Sequence, residues 1–237
     1  MRLTDKLWNV ARFSARFLCE SANPTLPEIQ DLSPADRWIL DSASSLIRRV
    51  TQNMRAYEHA AAKSEIESFF WVSLADNYLE MAKMRLYGND STARSAACET
   101  LGYVLLTVLK LLAPFVPHVT EEIYQALYAS DAHPSIHTAP WPTVDPRLED
   151  EMFESLGEVL ITIATAVRRY KSEHKLSLGA ELEQIQLATE NTALASRLVK
   201  AQNDLISVTR AKNIQIGEQL SGPSISSEGP VAIAIVR

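Results

Sequence analysis

Leu111-Leu112-Ala113-Pro114-Phe115-Val116-Pro117-His118-Val119-Thr120-Glu121-Glu122-Ile123-Tyr124 joins two apolar helical patterns through two prolines three residues apart. Pro114 lacks an amide hydrogen and clashes with the preceding turn, so the helix carrying Val104, Leu105, Val108 and Leu112 should end near it. Pro117 suits the first turn of the next helix, where the missing N–H costs nothing and φ is already helical. Glu121 and Glu122 then fall in or near that first turn, where the helix dipole favours carboxylates. Adjacent helical residues point about 100° apart, which places the two glutamates badly for a shared acid–base role. The stretch reads as a rigid corner between core helices.

On its N-terminal side, Thr4 is a candidate cap for a first helix whose positions Leu7, Val10, Ala11, Ser14, Phe17 and Leu18 recur with helical spacing. Asn23-Pro24 through Asp31 reads as a proline-containing loop. Ser33-Pro34-Ala35-Asp36 supplies a cap, a proline at the first helical position and an acid at the third. Ile39, Ala43, Leu46, Ile47, Val50 and Met54 form the stripe that this second helix buries. A third uses Ile66, Phe70, Leu74, Tyr78 and Ala82, with Gly88 placed to cap its end. Asp90 or Ser91 opens a fourth through Ala97, Leu101, Val104 and Leu105 into the corner.

Beyond Trp141-Pro142, the positions Met152, Leu156, Leu160, Ile163 and Val167 mark a long helix with Arg168, Arg169 and Lys171 near its end. The period then changes. Ile185 and Leu187 alternate with glutamines, Ile214 and Ile216 flank Gln215, and Val231, Ile233 and Ile235 alternate with alanines, which predicts short strands. Leu194, Leu198, Ala201 and Leu205 predict one helix between them. The chain is therefore mainly α, with a helical bundle over residues 1–175 and a small α+β subdomain over 176–237. Gly217 to Gly229, rich in Ser and Gly, reads as a mobile connection.

With 237 residues, 46% of them hydrophobic, the chain can bury a sizeable core. No apolar run approaches the twenty or so residues that span a bilayer, and the N-terminus has no signal-type apolar segment, so a cytoplasmic protein without membrane contact is expected. Cys19 and Cys98 are isolated on helical patterns and read as buried thiols. His133 and His137 are too few to make a metal site, and no serine has a recognisable base beside it.

The net charge of −6 is distributed unevenly. Residues 1–60 carry 8 Lys/Arg against 7 Asp/Glu, residues 61–165 carry 6 against 15, and residues 166–237 carry 9 against 7. Phosphate attraction depends on potential within about 8 Å at physiological salt, so basic patches near both termini are compatible with RNA binding despite the acidic total. In the first helix, Asp5, Trp8, Asn9, Arg12 and Arg16 fall along one side, Trp8 and Asn9 each three or four residues from Asp5 and from Arg12, and Arg16 four beyond Arg12. An aromatic, an amide and a guanidinium on one face supply what reads unstacked RNA bases. Two other readings are open at this point: Trp8 as a core residue, and Arg12 bridged to Asp5 or to a second helix. A solvated face is the ordinary explanation of Arg48, Gln52 and Arg55.

The corner Leu-Ala-Pro-Phe-x-Pro-His-x-Thr-Glu-Glu-Ile-Tyr resembles one in the anticodon-binding helical domain of class I aminoacyl-tRNA synthetases of the valine, isoleucine and leucine group. Lys6-Leu7-Trp8-Asn9-Val10-Ala11-Arg12-Phe13, Ala35-Asp36-Arg37-Trp38-Ile39-Leu40, the run from Tyr78 to Gly88, and Ser135 to Pro142 match in the family's order. The first and third are most similar to valyl-tRNA synthetases, and Val167 to Glu173 with Gly179-Ala180-Glu181-Leu182 resembles the archaeal-type valyl enzymes. The resemblance implies an anticodon-binding bundle whose tRNA contacts lie around Lys6, Trp8, Asn9, Arg12, Phe13 and Arg16, and around Arg37 and Trp38 at the start of the second helix, with a core anchor as the equal alternative for Trp38. Arg168, Arg169 and Lys171 are weaker candidates for the tRNA backbone, with a basic helix terminus as the equal alternative.

The family's His-Ile-Gly-His and Lys-Met-Ser-Lys-Ser signatures, which handle ATP, do not occur here. Lys171-Ser172-Glu173-His174-Lys175 has a passing likeness to the second but continues a helical pattern. The expected function is anticodon recognition for a valine–tRNA ligase, by a monomer whose partners are valine tRNA and a catalytic domain absent from this chain. No catalytic residue, metal or cofactor is expected in it, since ATP and Mg²⁺ are implied only for that catalytic domain. The alternative is a helical protein-interaction module that keeps the fold without reading tRNA.

Overall fold

The computed structural model describes residues 2–18, 26–148, 151–225 and 229–236, without the side chains of residues 151, 152 and 154. Cys19, the Asn23-Pro24 turn and the side chain of Met152 lie outside the described residues. The first helix, α1, runs Leu3–Ser14 and begins one residue before Thr4, with the Arg2 amide donating to Asp5 Oδ2 at 3.4 Å. Leu7, Val10, Ala11, Ser14 and Phe17 are buried as their spacing predicts. Helix α2, Pro34–Arg55, has the expected start: Ser33 Oγ accepts from the Asp36 amide, Asp36 accepts from the Ser33 amide, and proline holds the first position.

The predicted third helix is a continuous rod in three parts: α3 (His59–Ser68), a π-helical stretch (Phe69–Tyr78) and α4 (Leu79–Leu86). The wider winding lets Phe69, Phe70, Leu74, Ala75, Asn77 and Tyr78 all face inward. Gly88 follows its end without a left-handed φ. Space is what requires glycine there, because a Cβ would lie 2.8 Å from the Met84 carbonyl oxygen. Asp90 caps α5, Ser91–Leu112, through bonds from the amides of Thr92 and Ala93. By length and composition α5 would suit a bilayer, with a mean hydropathy of 1.4, which corrects the expectation from uninterrupted apolar runs. Yet 72% of that window is buried in the protein, as the packing of a central helix requires.

The corner stands: α5 stops at Leu112, and α6, Pro117–Leu127, starts with Pro117 at its first turn. Glu121 lies beyond that turn, contrary to the dipole reading. It instead pins the following loop, accepting from Ser135 Oγ at 2.9 Å and the Ile136 amide at 3.0 Å. Helix α7, Glu151–Glu173, packs along α2.

The remainder forms a four-stranded sheet ordered β2-β1-β4-β3, from β1 (Leu182–Ala188), β2 (Ala211–Gly217), β3 (Ser224–Ile225) and β4 (Ala232–Val236). Parallel strands need a long crossover. Here α8 (Thr192–Lys200) and α9 (Gln202–Thr209) carry the chain from β1 to its parallel neighbour β2, so the single predicted helix is two, broken at Ala201. The Gly217–Gly229 segment is also not merely a connection, since β3 pairs with β4 through Ser224↔Ala234 and Ile225↔Ile233.

The sheet unit docks on the bundle through α9 and α4. Ser207 Oγ donates to the Glu80 carbonyl at 2.5 Å, and Arg85 bridges Asp36 of α2 (2.5 Å) and Asp204 of α9 (2.9 Å). Tyr78 Oη adds a 2.7 Å bond to Asp36. Burial works against the Arg85 charge, but the two carboxylates outweigh it and hold the guanidinium firmly protonated.

Candidate nucleic-acid interface

Helix α1 buries one side against α5 and α6 and leaves the other in solvent. Asp5, Trp8, Asn9, Arg12 and Arg16 are all exposed. Trp8 is 44% exposed, which removes the core reading. Among the described residues neither Arg12 nor Arg16 has a carboxylate partner, so the bridge to Asp5 is not made. An aromatic plane, an amide and two guanidinium groups thus stand on the exposed side, the guanidinium groups without a carboxylate partner among the described residues.

Trp8 and Arg12 also edge an apolar slot of about 190 Å³ between α1 and α6, closed by Ala11, Ala15, Ile123, Ala126 and Leu127. The α6 wall is a part of the site that sequence reasoning missed. Its only signal is the spacing of 123, 126 and 127, which puts three apolar residues on one helical face.

Lys6 and Phe13 leave this ridge. Lys6 Nζ is 3.1 Å from Asp76 Oδ1 and 5.3 Å from the Trp71 ring centroid. Phe13 is half-buried and stacks toward Phe17, which meets Tyr87 edge-on at 4.9 Å. Lys6 thus joins α1 to the rod beside it, and Phe13 backs the Phe17 contact with Tyr87.

Arg37 and Trp38 are interior. Arg37, 8% exposed, donates to Asp41 at 3.2 Å and to the Arg147 carbonyl at 2.7 Å, and lies over the Phe153 ring. Trp38, 2% exposed, packs on Gly157 so closely that a Cβ there would sit 1.8 Å from the indole. The α2 N-terminus is equally occupied, since Ser33 Oγ accepts from the Asp36 amide and the buried Asp36 carboxylate accepts from the Ser33 amide. A phosphate at that end would meet a negative charge rather than free amides.

The three cations of α7 have different surroundings. Arg169 pairs with Glu173 at 2.9 Å on the surface. Arg168 donates to Asn77 Oδ1 (2.9 Å) and the Asp76 carbonyl (2.6 Å). Lys171 is 1% exposed and gives its protons to the carbonyls of Leu178, Ala180 and Thr209 at 2.7–3.1 Å. Its ammonium joins the end of α7 to the loop before β1 and to α9, with no donor left for RNA. Residues 171–173 continue α7 as the helical pattern predicts, but the helix ends at Glu173 and Lys175 turns out of it with φ +57°.

Arg48 is exposed and donates to Ser45, in keeping with a solvated face. Cys98 is buried.

The family described as the anticodon-binding domain of tRNA ligase matches residues 36–187. A valine–tRNA ligase of Methanopyrus kandleri is 40% identical over 220 residues, which cover 91% of this chain and 23% of that protein. One from Ehrlichia ruminantium is 38% identical over 216 residues, 90% of this chain and 26% of the relative. One from the Wolbachia of Brugia malayi is 32% identical over 237 residues, 99% of this chain and 27% of the relative, and so extends over α1 as well. The chain spans about a quarter of the length of these relatives. It belongs to the anticodon-binding domain family of tRNA ligases.

Proposed function

We propose that this chain recognises the anticodon of valine tRNA as part of a valine–tRNA ligase, with α1 as the reading surface. The observation that carries the proposal is the ridge of Trp8, Asn9, Arg12 and Arg16, polar and aromatic groups that the fold leaves exposed and, for the two arginines, without carboxylate partners among the described residues. Guanidinium and indole planes stack on unstacked bases, and an amide reads a base edge. The work of this part is to bind and orient tRNA. ATP and Mg²⁺ chemistry belongs to a catalytic domain outside this sequence, and the same reading implies a monomer acting in the cytoplasm.

Filter binding at low and moderate salt tests the proposal. Valine tRNA should bind more tightly than other tRNAs, and exchanging its anticodon should remove the preference. Equal affinity for valine and non-valine tRNAs overturns the reading.

A further inference from the structure

A cleft of about 480 Å³ opens where the bundle meets the α+β subdomain, away from the slot on α6. Lys6 of α1, Arg168 and Lys171 of α7, and Arg210 after α9 line it, against two carboxylates, Asp76 and Glu80. Glu80 is shared with Lys83, 2.5 Å away, and Asp76 with Lys6. Among the described residues Arg168 bonds neutral oxygens, and these two bonds leave other guanidinium donors available. Lys171 is likewise surrounded by carbonyls. Burial lowers the pKa of Arg168 against the opposing pull of Asp76 and Glu80, and burial followed by the charge of Arg210 lowers that of Lys171. The wall holds more positive charge than its surroundings neutralise.

Arg210 adds an independent sign. It ends α9 with φ +60°, a left-handed position that glycine or asparagine ordinarily takes. Its backbone is used, the amide bonding Ile206 and the carbonyl accepting from Leu182. Its side chain is exposed and has no carboxylate partner among the described residues. The fold uses this backbone geometry here as it does at Tyr57 (φ +62°) and Lys175 (φ +57°), so what sets Arg210 apart is its exposed guanidinium at the cleft.

We propose that this cleft is a second RNA contact, in which Arg168 and Arg210 grip a backbone phosphate of the bound tRNA. Two guanidinium groups converging on one cleft suit a phosphodiester, which accepts paired N–H bonds, and Lys171 strengthens the field without touching the ligand. Lys6 lies in the same wall and is six residues from Arg12, about 9 Å along α1. Six residues also turn about 240° around the helix, so the cleft and the ridge lie on different sides of α1. The inference rests on the tRNA-binding reading and adds a contact that sets affinity while ignoring sequence.

The test uses the whole 237-residue chain, labelled valine tRNA and a non-valine tRNA, each titrated over a series of salt concentrations. Two variants address the cleft. Arg210→Ala removes a gripping group. Gly179→Asp adds a carboxylate at the rim, where a Cβ meets nothing within 4 Å, so the fold is preserved. Each should weaken both tRNAs by about 3–10-fold, and Arg210→Ala should reduce the slope of log K against log salt by about 1.

Unchanged affinity and slope in both variants, with Arg12→Ala still weakening valine tRNA, overturn the cleft and leave the α1 reading standing. A wild-type chain that binds no tRNA overturns both. If inorganic phosphate raises the melting temperature of the wild type but not of Arg210→Ala, while tRNA affinity ignores both variants, the cleft takes a small free anion and its assignment to RNA is overturned.

Discussion

Arg85 lies inside the molecule between two carboxylates, while Arg12 stands on α1 with none beside it among the described residues. Around Arg85 the charges are paired: Asp36 and Asp204 accept its protons, Tyr78 donates to Asp36, and three helices from both parts of the chain meet there, although Arg85 Nη2 and Asp204 Oδ2 are buried without a hydrogen-bond partner among the described residues. Burial raises the pKa of the Asp204 carboxyl and Arg85 opposes it, so each charge in the group depends on the other. Around Arg12 nothing comparable is built. The contrast shows how one residue type acquires its role: a guanidinium with internal partners holds the fold, and one without them is available to a ligand.

The sharpest way to break this comparison is Arg85→Met, which strands two buried carboxylates. A loss of about 3–5 kcal/mol is expected, read as a lower urea midpoint, and a change under 1 kcal/mol would show that the cluster is not the joint described. Trp38→Ala comes next. Although the resemblance puts Trp38 near tRNA, its burial against Gly157 predicts a loss of about 3–5 kcal/mol from the cavity alone, with any tRNA defect following the unfolded fraction.

Arg12→Ala should do the reverse. Valine tRNA affinity should fall by about 1–3 kcal/mol, while the melt moves by no more than about 0.5 kcal/mol. A large shift in the melt would return Arg12 to the structural class.

The smallest expected effect is at the corner. Burial would raise the Glu121 carboxyl, but bonds from Gln125, Ser135 and the Ile136 amide, with His137 beyond them, hold it below its ordinary 4.5. As pH falls, the unfolded chain takes up this proton first. The stabilisation is therefore complete above 4.5 and is lost as pH drops through the lower folded value. Glu121→Gln should cost about 1 kcal/mol at neutral pH, and its difference from wild type should disappear in acid melts.

Most helices were legible because their buried faces repeat at the helical period: Leu7, Val10 and Ala11, or Leu101, Leu105 and Val108, need no partner to be recognised. The Ser33 cap and the Pro117 start are local chemistry and were equally readable. The π-helical winding over Phe69–Tyr78 was not, since ten residues that read as one ordinary helix differ only in how they pack. The break at Ala201 and the short strand at Ser224–Ile225 were hidden for a related reason, being decided by the neighbours they pair with or turn around.

At the candidate site, the spacing of Trp8, Asn9, Arg12 and Arg16 marked a ridge but left its side undecided. Arg37 and Trp38 matched a family motif whose conspicuous residues are interior here. Arg210 carried no local signal, because a left-handed φ is not visible in a sequence.

The helical bundle, the proline corner, the change to a sheet after residue 180 and the likeness to synthetase anticodon domains are all written in periodicity, capping and motif order. Only the tertiary structure decided which charges are internal. Pairing depends on residues such as Asp36, Arg85 and Asp204, brought together from positions far apart in the chain, and water reaches only those side chains that such packing leaves outside.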